Sequence, residues 1–217
     1  METKFTVVYD NEAQPGFMKG WGFSCLVGDQ VLFDTGGDPR PLLYNMERLG
    51  IDLHAIRAIV LSHGHGDHTG GIGIVEHLGV VQVFALDSFF APIAKRLARH
   101  ENAEVVRVNG WMEIAEGISS TGPLGRMQEQ SLVVETPKGF VVVTGCSHPG
   151  VPRIMDEVWK YGRIYGIIGG FHGFARLEIL ENLSLIAPCH CTRRKERILA
   201  RYPETSRPCA GGAIFEV

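Results

Sequence analysis

Apolar positions along this chain switch repeatedly between a period of two and a helical period. Residues 4–9 (KFTVVY), 23–27 and 30–33 carry strand signals, the last two joined by a turn at Gly28-Asp29. Leu42, Leu43, Met46 and Leu49 recur at helical spacing and stop at Gly50. Residues 58–61 (AIVL) are continuously apolar, the pattern of a short strand buried on both faces. Beyond them the pattern predicts a helix over 70–78, a strand over 80–85 and a helix over 88–99. Strand signals then accumulate at 104–108, 112–115, 131–135 and 140–144. Val151, Ile154, Met155 and Val158 mark another amphipathic helix. A strand over 163–168, a helix over 175–182, a strand over 185–188, a basic helix over 193–201 and a strand near Ile214 complete the series. Two groups of strands, each mixed with helices, predict a layered α/β protein in which two sheets pack together under outer helices. No linker, charge block or repeat divides the sequence, so residues 1–217 read as one domain.

Charge narrows the range of partners. Lys and Arg number 21 against 24 Asp and Glu, a net charge of −3, so the basic excess of a general nucleic-acid binder is missing. No apolar run approaches the ~18–20 residues of a membrane span. The opening Met1-Glu2-Thr3-Lys4-Phe5 has no apolar stretch of the kind that directs secretion, and a cytoplasmic location is expected. In that setting the five cysteines, Cys25, Cys146, Cys189, Cys191 and Cys209, read as reduced thiols.

Candidate chemistry concentrates directly after the apolar run at 58–61. Ser62-His63-Gly64-His65-Gly66-Asp67-His68 places three imidazoles and a carboxylate within six residues, with two glycines that let the backbone fold tightly. Nitrogen-rich ligands with one hard oxygen suit zinc, with iron or manganese less favoured. His54, His77 and His100 have no companion ligands nearby and read as ordinary solvated or capping residues.

The His-x-His-x-Asp-His pattern of His63, His65, Asp67 and His68 resembles the signature of the metallo-β-lactamase superfamily. The upstream Val31-Leu32-Phe33-Asp34-Thr35-Gly36-Gly37 is similar to that superfamily's strand ending in Asp-Thr-Gly. Within it, the chain looks most like the branch containing the archaeal dihydropterin–ribofuranosylaminobenzene phosphate synthase. The stretches that carry this are Trp21-Gly22-Phe23-Ser24, Thr144-Gly145-Cys146-Ser147-His148-Pro149-Gly150, Gly169-Gly170-Phe171-His172 and Pro188-Cys189-His190-Cys191-Thr192. Arg193 stands where that branch usually has glycine. The resemblance implies a four-layer αββα sandwich with a metal site on one edge of the two sheets. His63 and His65 would hold one metal; Asp67 and His68 would hold a second, or position water if only one binds.

Three protein ligands and an open position make a catalytic zinc site, so His63 and His65 need a partner from elsewhere. The superfamily's usual order after the first motif is histidine, bridging aspartate, histidine, and this chain departs from it. No histidine lies between His100 and His148, and the strand that usually ends in Gly-Asp here leads into Gly145-Cys146-Ser147-His148. His148 is the expected third ligand of the first metal, and His190 the last ligand of the second. Cys146 stands where the bridging aspartate is expected; as a thiolate it could ligate metal, and as a thiol it could simply pack. His172 is read as a catalytic or substrate-facing group more than as a ligand. Asp34 either orients a ligand imidazole or serves as a turn residue before two glycines. Cys189 and Cys191 flank His190, and alternation along an extended segment turns both away from the side that His190 faces. The basic run Arg193, Arg194, Lys195 and Arg197 is either a solvated helix face or a hold for an anionic group.

The chemistry expected is hydrolysis of a small, anionic ester or phosphoester. Zinc lowers the pKa of bound water to about 7 and so supplies hydroxide at neutral pH. One or two zinc ions are expected, with manganese, iron or magnesium left open, and the partner is a small-molecule substrate with neither nucleic acid nor membrane. The oligomeric state stays open. A synthase-like transfer releasing pyrophosphate is the alternative implied by the branch, and a non-catalytic metal or thiol sensor is the alternative from another class.

Overall fold

The computed structural model describes residues 2–217. Strands β1 (Lys4–Tyr9), β2 (Ser24–Val27), β3 (Val31–Phe33), β4 (Ala58–Val60), β5 (Val81–Leu86), β6 (Ala103–Val108) and β13 (Ile214–Glu216) form one sheet, in the order β13-β1-β2-β3-β4-β5-β6. Strands β7 (Met112–Ala115), β8 (Ile118–Ser120), β9 (Leu132–Val134), β10 (Phe140–Thr144), β11 (Ile164–Gly170) and β12 (Leu185–Cys189) form the other, in the order β12-β11-β10-β9-β8-β7. Strand β8 lies in a tight antiparallel hairpin with β7, paired Met112 to Ser120, and its polar Ser119-Ser120 end gave no alternation to read.

Alternation within the second sheet builds the sandwich. Val141 and Val143 of β10 join the core shared with the first sheet, while Val142 between them joins a separate outer cluster with Ile154, Met155 and Val158. Those three belong to α4 (Val151–Val158), and Ile198 of α5 (Lys195–Arg201) packs in the same outer cluster. On the far side, α1 (Pro39–Arg48) and α3 (Asp87–Leu97) bury Leu42, Met46, Phe89, Ile93 and Leu97 against the first sheet. The expected four-layer αββα order is therefore what the chain adopts. Helix α1 begins where the chemistry says it should: Asp38 caps it by accepting from the Arg40 amide, and Pro39 occupies the first turn.

Two expected helices are not α-helical. Residues 66–69 form a single turn, α2 (Gly66–Thr69), and Gly70–His77 continues as 3-10 helix. The reason is close packing on the loop after β3. A Cβ on Gly70 would sit 2.2 Å from the Gly37 carbonyl oxygen, and one on Gly71 would sit 2.1 Å from that of Thr35. Glycines that permit this approach also weaken the α-helix. The predicted helix over 175–182 is likewise only a 3-10 turn at Leu177–Leu180.

The arrangement that matters for function is the direction of the strands. β3, β4, β5 and β6 run parallel to one another in the first sheet, as do β10, β11 and β12 in the second. The residues that follow the carboxyl ends of β3, β4, β10, β11 and β12 include Asp34, His63, His148, His172 and His190, the same positions singled out from the sequence. Among the described residues no helix is long and apolar enough to cross a membrane.

Candidate metal centre

Four histidines converge from three separate stretches of chain. The ligand atoms of His63, Cys146 and His148 lie within 4.8 Å of one another, and so do those of His68, Cys146 and His190. Cys146 belongs to both groups. His65 joins the first, its Nδ1 3.0 Å from His63 Nε2, with ring centres 5.2 Å from His148. Asp67 joins the second, with Oδ2 3.3 Å from His190 Nε2 and 3.8 Å from His68 Nε2. The sequence-predicted ligands are thus brought together in two overlapping sets.

Behind each buried imidazole stands an acceptor for its other nitrogen. Asp34 is fully buried and accepts from the Ser62 amide (2.7 Å), the Ser62 hydroxyl (2.7 Å) and His68 Nδ1 (2.6 Å). Because the Ser62 hydroxyl donates to Asp34, its oxygen is left to accept from His63 Nδ1 at 2.8 Å. Glu129 Oε2 accepts from His148 Nδ1 at 2.8 Å, and Asn11 Oδ1 from His190 Nδ1 at 2.9 Å. With every Nδ1 proton placed outward, each Nε2 presents a lone pair inward, which is how metal-binding imidazoles are oriented. His190 Nε2 is buried with no hydrogen-bond partner, an uncompensated polar atom aimed into the centre.

Electrostatics agree with this arrangement at His63 and His190, whereas the hydrogen bond to Glu129 raises His148. Burial, with His68 alongside, holds His63 down at about 2, so its ring is neutral. Burial also lowers His190. For Asp67, the adjoining His190 ring is the main reason its carboxyl stays well below the usual range. Burial works against a charge on His68, but the Asp34 carboxylate outweighs it and raises that ring.

The backbone is bent to make the centre. Asp34 (φ 57°), Ser147 (φ 57°), His172 (φ 44°) and His190 (φ 47°) are four of the five non-glycine residues in left-handed conformation among the described residues. Each follows the end of a parallel strand, where such conformations turn a side chain toward a site. The His190 turn is held by its own amide donating to Asp10 Oδ1 at 2.8 Å and its carbonyl accepting from Asn11 Nδ2 at 3.1 Å.

Several residues escaped the reading of the sequence. Glu129, 1% exposed, accepts from the backbone amides of Cys146, Ser147 and His148 as well as from the His148 ring. Burial opposes its ionisation, but these donors, led by His148, bring its carboxyl down to about 2. Asp10 and Asn11 were equally silent; the available signal was a polar pair directly after β1, as Asp34 follows β3. For Asp34 itself the orienting alternative is the one observed.

The cysteine reading needs correction. Cys189 and Cys209 form a disulfide, their Cα atoms 5.2 Å apart, because β12 ends alongside the segment that leads into β13. Only Cys25, Cys146 and Cys191 are free. Nor does Cys191 turn away from the centre. Its chain bends at left-handed His190, alternation lapses, and the Cys191 thiol lies 3.8 Å from the Cys146 carbonyl oxygen.

At the mouth, His172 is exposed, its ring centre 5.4 Å from that of His148, and exposed Trp21 lies 5.2 Å from the His190 ring. A cavity of about 310 Å³ opens beside them, lined by Ser147, His148, Phe171, His172 and Phe174. Of the basic run, Arg194 bonds the Gly173 and Phe174 carbonyls and Lys195 bonds Glu12 and the Cys209 carbonyl. Arg193 stays exposed next to His172, whose carbonyl accepts from its amide at 3.0 Å. His54 and His77 are exposed and far from any cluster.

Residues 26–175 match the metallo-beta-lactamase superfamily. The chain belongs to that superfamily. Over 86% of its length this superfamily member is 28% identical to the 7,8-dihydropterin-6-methyl-4-(beta-D-ribofuranosyl)-aminobenzene-5'-phosphate synthase of Methanocaldococcus jannaschii, covering 84% of that protein. A solved metal-dependent hydrolase of the beta-lactamase superfamily, Tm1679, superposes with a TM-score of 0.84 at 27% identity, over 99% of both chains. A diphosphatase of the PhnP family shares the fold, with a TM-score of 0.71 at 18% identity over 100% of this chain and 98% of that one. This metallo-β-lactamase-fold chain is thereby placed among the metal-dependent hydrolases of its superfamily, which bind divalent metals.

Proposed function

We propose that the protein is a zinc-dependent hydrolase of a small, anionic ester or phosphoester, acting as one domain through a dinuclear centre. His63, His65 and His148 would hold one metal; His68, His190 and Asp67 would hold the other, with Cys146 as a thiolate between them. The donor set fits: neutral imidazoles, a thiolate and one carboxylate are ligands that suit zinc and suit magnesium poorly. The observation that carries the reading is the common orientation of the four backed histidines, above all the buried, unpartnered Nε2 of His190.

When bound, the metal supplies Lewis acidity and lowers the pKa of water toward neutrality. The chain's own residues do the rest. Asp34, Glu129, Asn11 and Ser62 keep the imidazole lone pairs directed inward. Asp67, ionised and partly open to the mouth, would hold the second metal, or orient the attacking water if only one metal binds. Burial first, then the neighbouring His148, depress the His172 pKa, so its ring is neutral and can pass a proton to or from the leaving oxygen at the mouth. Arg193 offers a positive charge beside that ring for an anionic group.

Metal content and hydrolysis of bis-p-nitrophenyl phosphate and p-nitrophenyl esters test the reading. Two metal equivalents, with turnover lost in His63→Ala, His148→Ala and His190→Ala, support it. Metal content unchanged in all three variants overturns it, and so does tight metal uptake with no turnover of either substrate class.

A second reading rests on the 28% identity to the archaeal synthase. Transfer would release pyrophosphate from a diphosphate ester without consuming water. Reaction in ¹⁸O-labelled water separates the two, because only hydrolysis places solvent oxygen in the product.

A further inference from the structure

Cys191 has no part in the chemistry described so far, yet the fold brings it against the thiol shared by both ligand groups. Its sulfur lies 3.8 Å from the Cys146 carbonyl oxygen. Gly170 makes this approach possible. A Cβ there would fall 2.8 Å from the Cys191 sulfur, 3.3 Å from the Cys146 Cα and 2.4 Å from the Gly145 carbonyl oxygen. Any larger residue would wedge the two cysteines apart. The pair is also unequally accessible: Cys146 is 4% exposed, whereas Cys191 is half-buried.

We propose that Cys146 and Cys191 form an oxidation site, closing to a disulfide under hydrogen peroxide and thereby removing the shared thiol from the metal centre. Cys191 reacts first. Its sulfur attacks one peroxide oxygen, the S–O bond forms, the O–O bond breaks, and water leaves with the thiol proton, giving a sulfenic acid. The Cys146 sulfur then attacks the sulfenic sulfur; the S–S bond forms, the S–O bond breaks, and the departing hydroxide takes the Cys146 proton as a second water. Two thiols lose two electrons and one peroxide becomes two waters. A thiolate committed to a metal is not available for the second step, so metal loading and disulfide closure exclude one another. That consequence rests on the metal reading above; closure itself does not.

Metal-free and zinc-loaded protein are each treated with one equivalent of hydrogen peroxide, alkylated and digested without reductant. The expected result in metal-free protein is a crosslinked peptide joining Cys146 to Cys191, one alkylatable thiol remaining of three, and zinc uptake reduced at least tenfold. Zinc-loaded protein should give little crosslink. Cys191→Ser and Cys191→Ala should both retain zinc uptake after the same treatment. Absence of the 146–191 crosslink in metal-free protein overturns the proposal, whether Cys191 stays free, is over-oxidised alone or exchanges with Cys189 or Cys209. Crosslinking that proceeds equally with and without zinc, while zinc uptake is unaffected, retains the oxidation site and overturns its link to the metal.

Discussion

One oxygen of Glu129 holds His148 twice, accepting from its backbone amide at 2.9 Å and its ring Nδ1 at 2.8 Å. The other oxygen takes the amides of Cys146 and Ser147, both at 2.8 Å. A single buried carboxylate therefore fixes the whole strand-to-helix turn that carries a candidate thiol and a candidate imidazole.

Glu129→Ala is expected to destabilise strongly, since it strands three buried amides and the His148 ring without acceptors. Loss of a buried charged partner of this kind costs about 3–5 kcal/mol, to be read from denaturant midpoints. The acid limb should carry the same signature. The folded-state pKa of about 2 lies below the ordinary value near 4.5, so the contribution is full above the latter and disappears as pH falls through the former. Wild type should lose stability relative to Glu129→Gln over that interval, and parallel pH profiles would contradict the assignment.

His190 depends on Asn11 in a comparable way. Asn11→Ala removes the acceptor for His190 Nδ1 and the donor to its carbonyl. Supports of this kind affect metal affinity by about 10–100-fold. Zinc titration with a chromophoric competitor should show that loss with the fold intact by circular dichroism. An unchanged affinity would mean that His190 is not a ligand.

How much of this was legible without coordinates depends on distance along the chain. His63, His65, Asp67 and His68 announce themselves because four donors sit within six residues after a buried strand. Cys146, His148 and His190 were recoverable because each follows an apolar strand, where the fold delivers side chains to its edge. Glu129 was not, because a glutamate ahead of a strand looks solvated until the turn at 146–148 closes over it. Asn11 was hidden for the same reason, its contact with His190 spanning 179 residues. The lapse in helix type over 70–78 has a local cause: glycines at 70 and 71 serve the contact with residues 35–37, and an apolar pattern records burial without recording that contact. The disulfide was missed because an odd and sparse set of cysteines spoke for free thiols, whereas pairing is decided by which strand ends lie together.

Cys146 offers a substitution that separates ligation from packing. If the thiol bridges two metals, Cys146→Asp restores an oxygen bridge of the kind usual in the superfamily, and hydrolysis should survive within about tenfold. Cys146→Ala should lose the shared ligand and bind about one metal equivalent. Identical metal content in the Ala variant and wild type would assign the thiol to packing alone.

Metal removal should be visible in stability as well as in rate. A ligand present at about 100 times its dissociation constant stabilises by about 2.7 kcal/mol. For a chain of this size that raises the melting temperature by about 5–10 °C. Chelation should reverse the shift, and zinc should restore it. His190→Ala should show a smaller shift, since its second site is incomplete.

The Cys189–Cys209 disulfide ends one residue before His190, so it tethers the strand that presents that imidazole to the segment preceding β13. Closing a loop with a sequence separation of 20 contributes about 3 kcal/mol on the chain-entropy account. Cys209→Ser should therefore lower stability by that order, and it leaves the Cys189 thiol buried beside Asp10, whose other carboxylate oxygen already lacks a partner. Because Asp10 also accepts from the His190 amide, loosening this corner should weaken zinc binding at the His68–His190 group more than at the His63–His148 group. Stepwise zinc titration resolves the two: the weaker step should move in Cys209→Ser while the tighter one stays, or the reverse, but not both together. Equal weakening of both steps would show that the bridge supports the fold without steering His190.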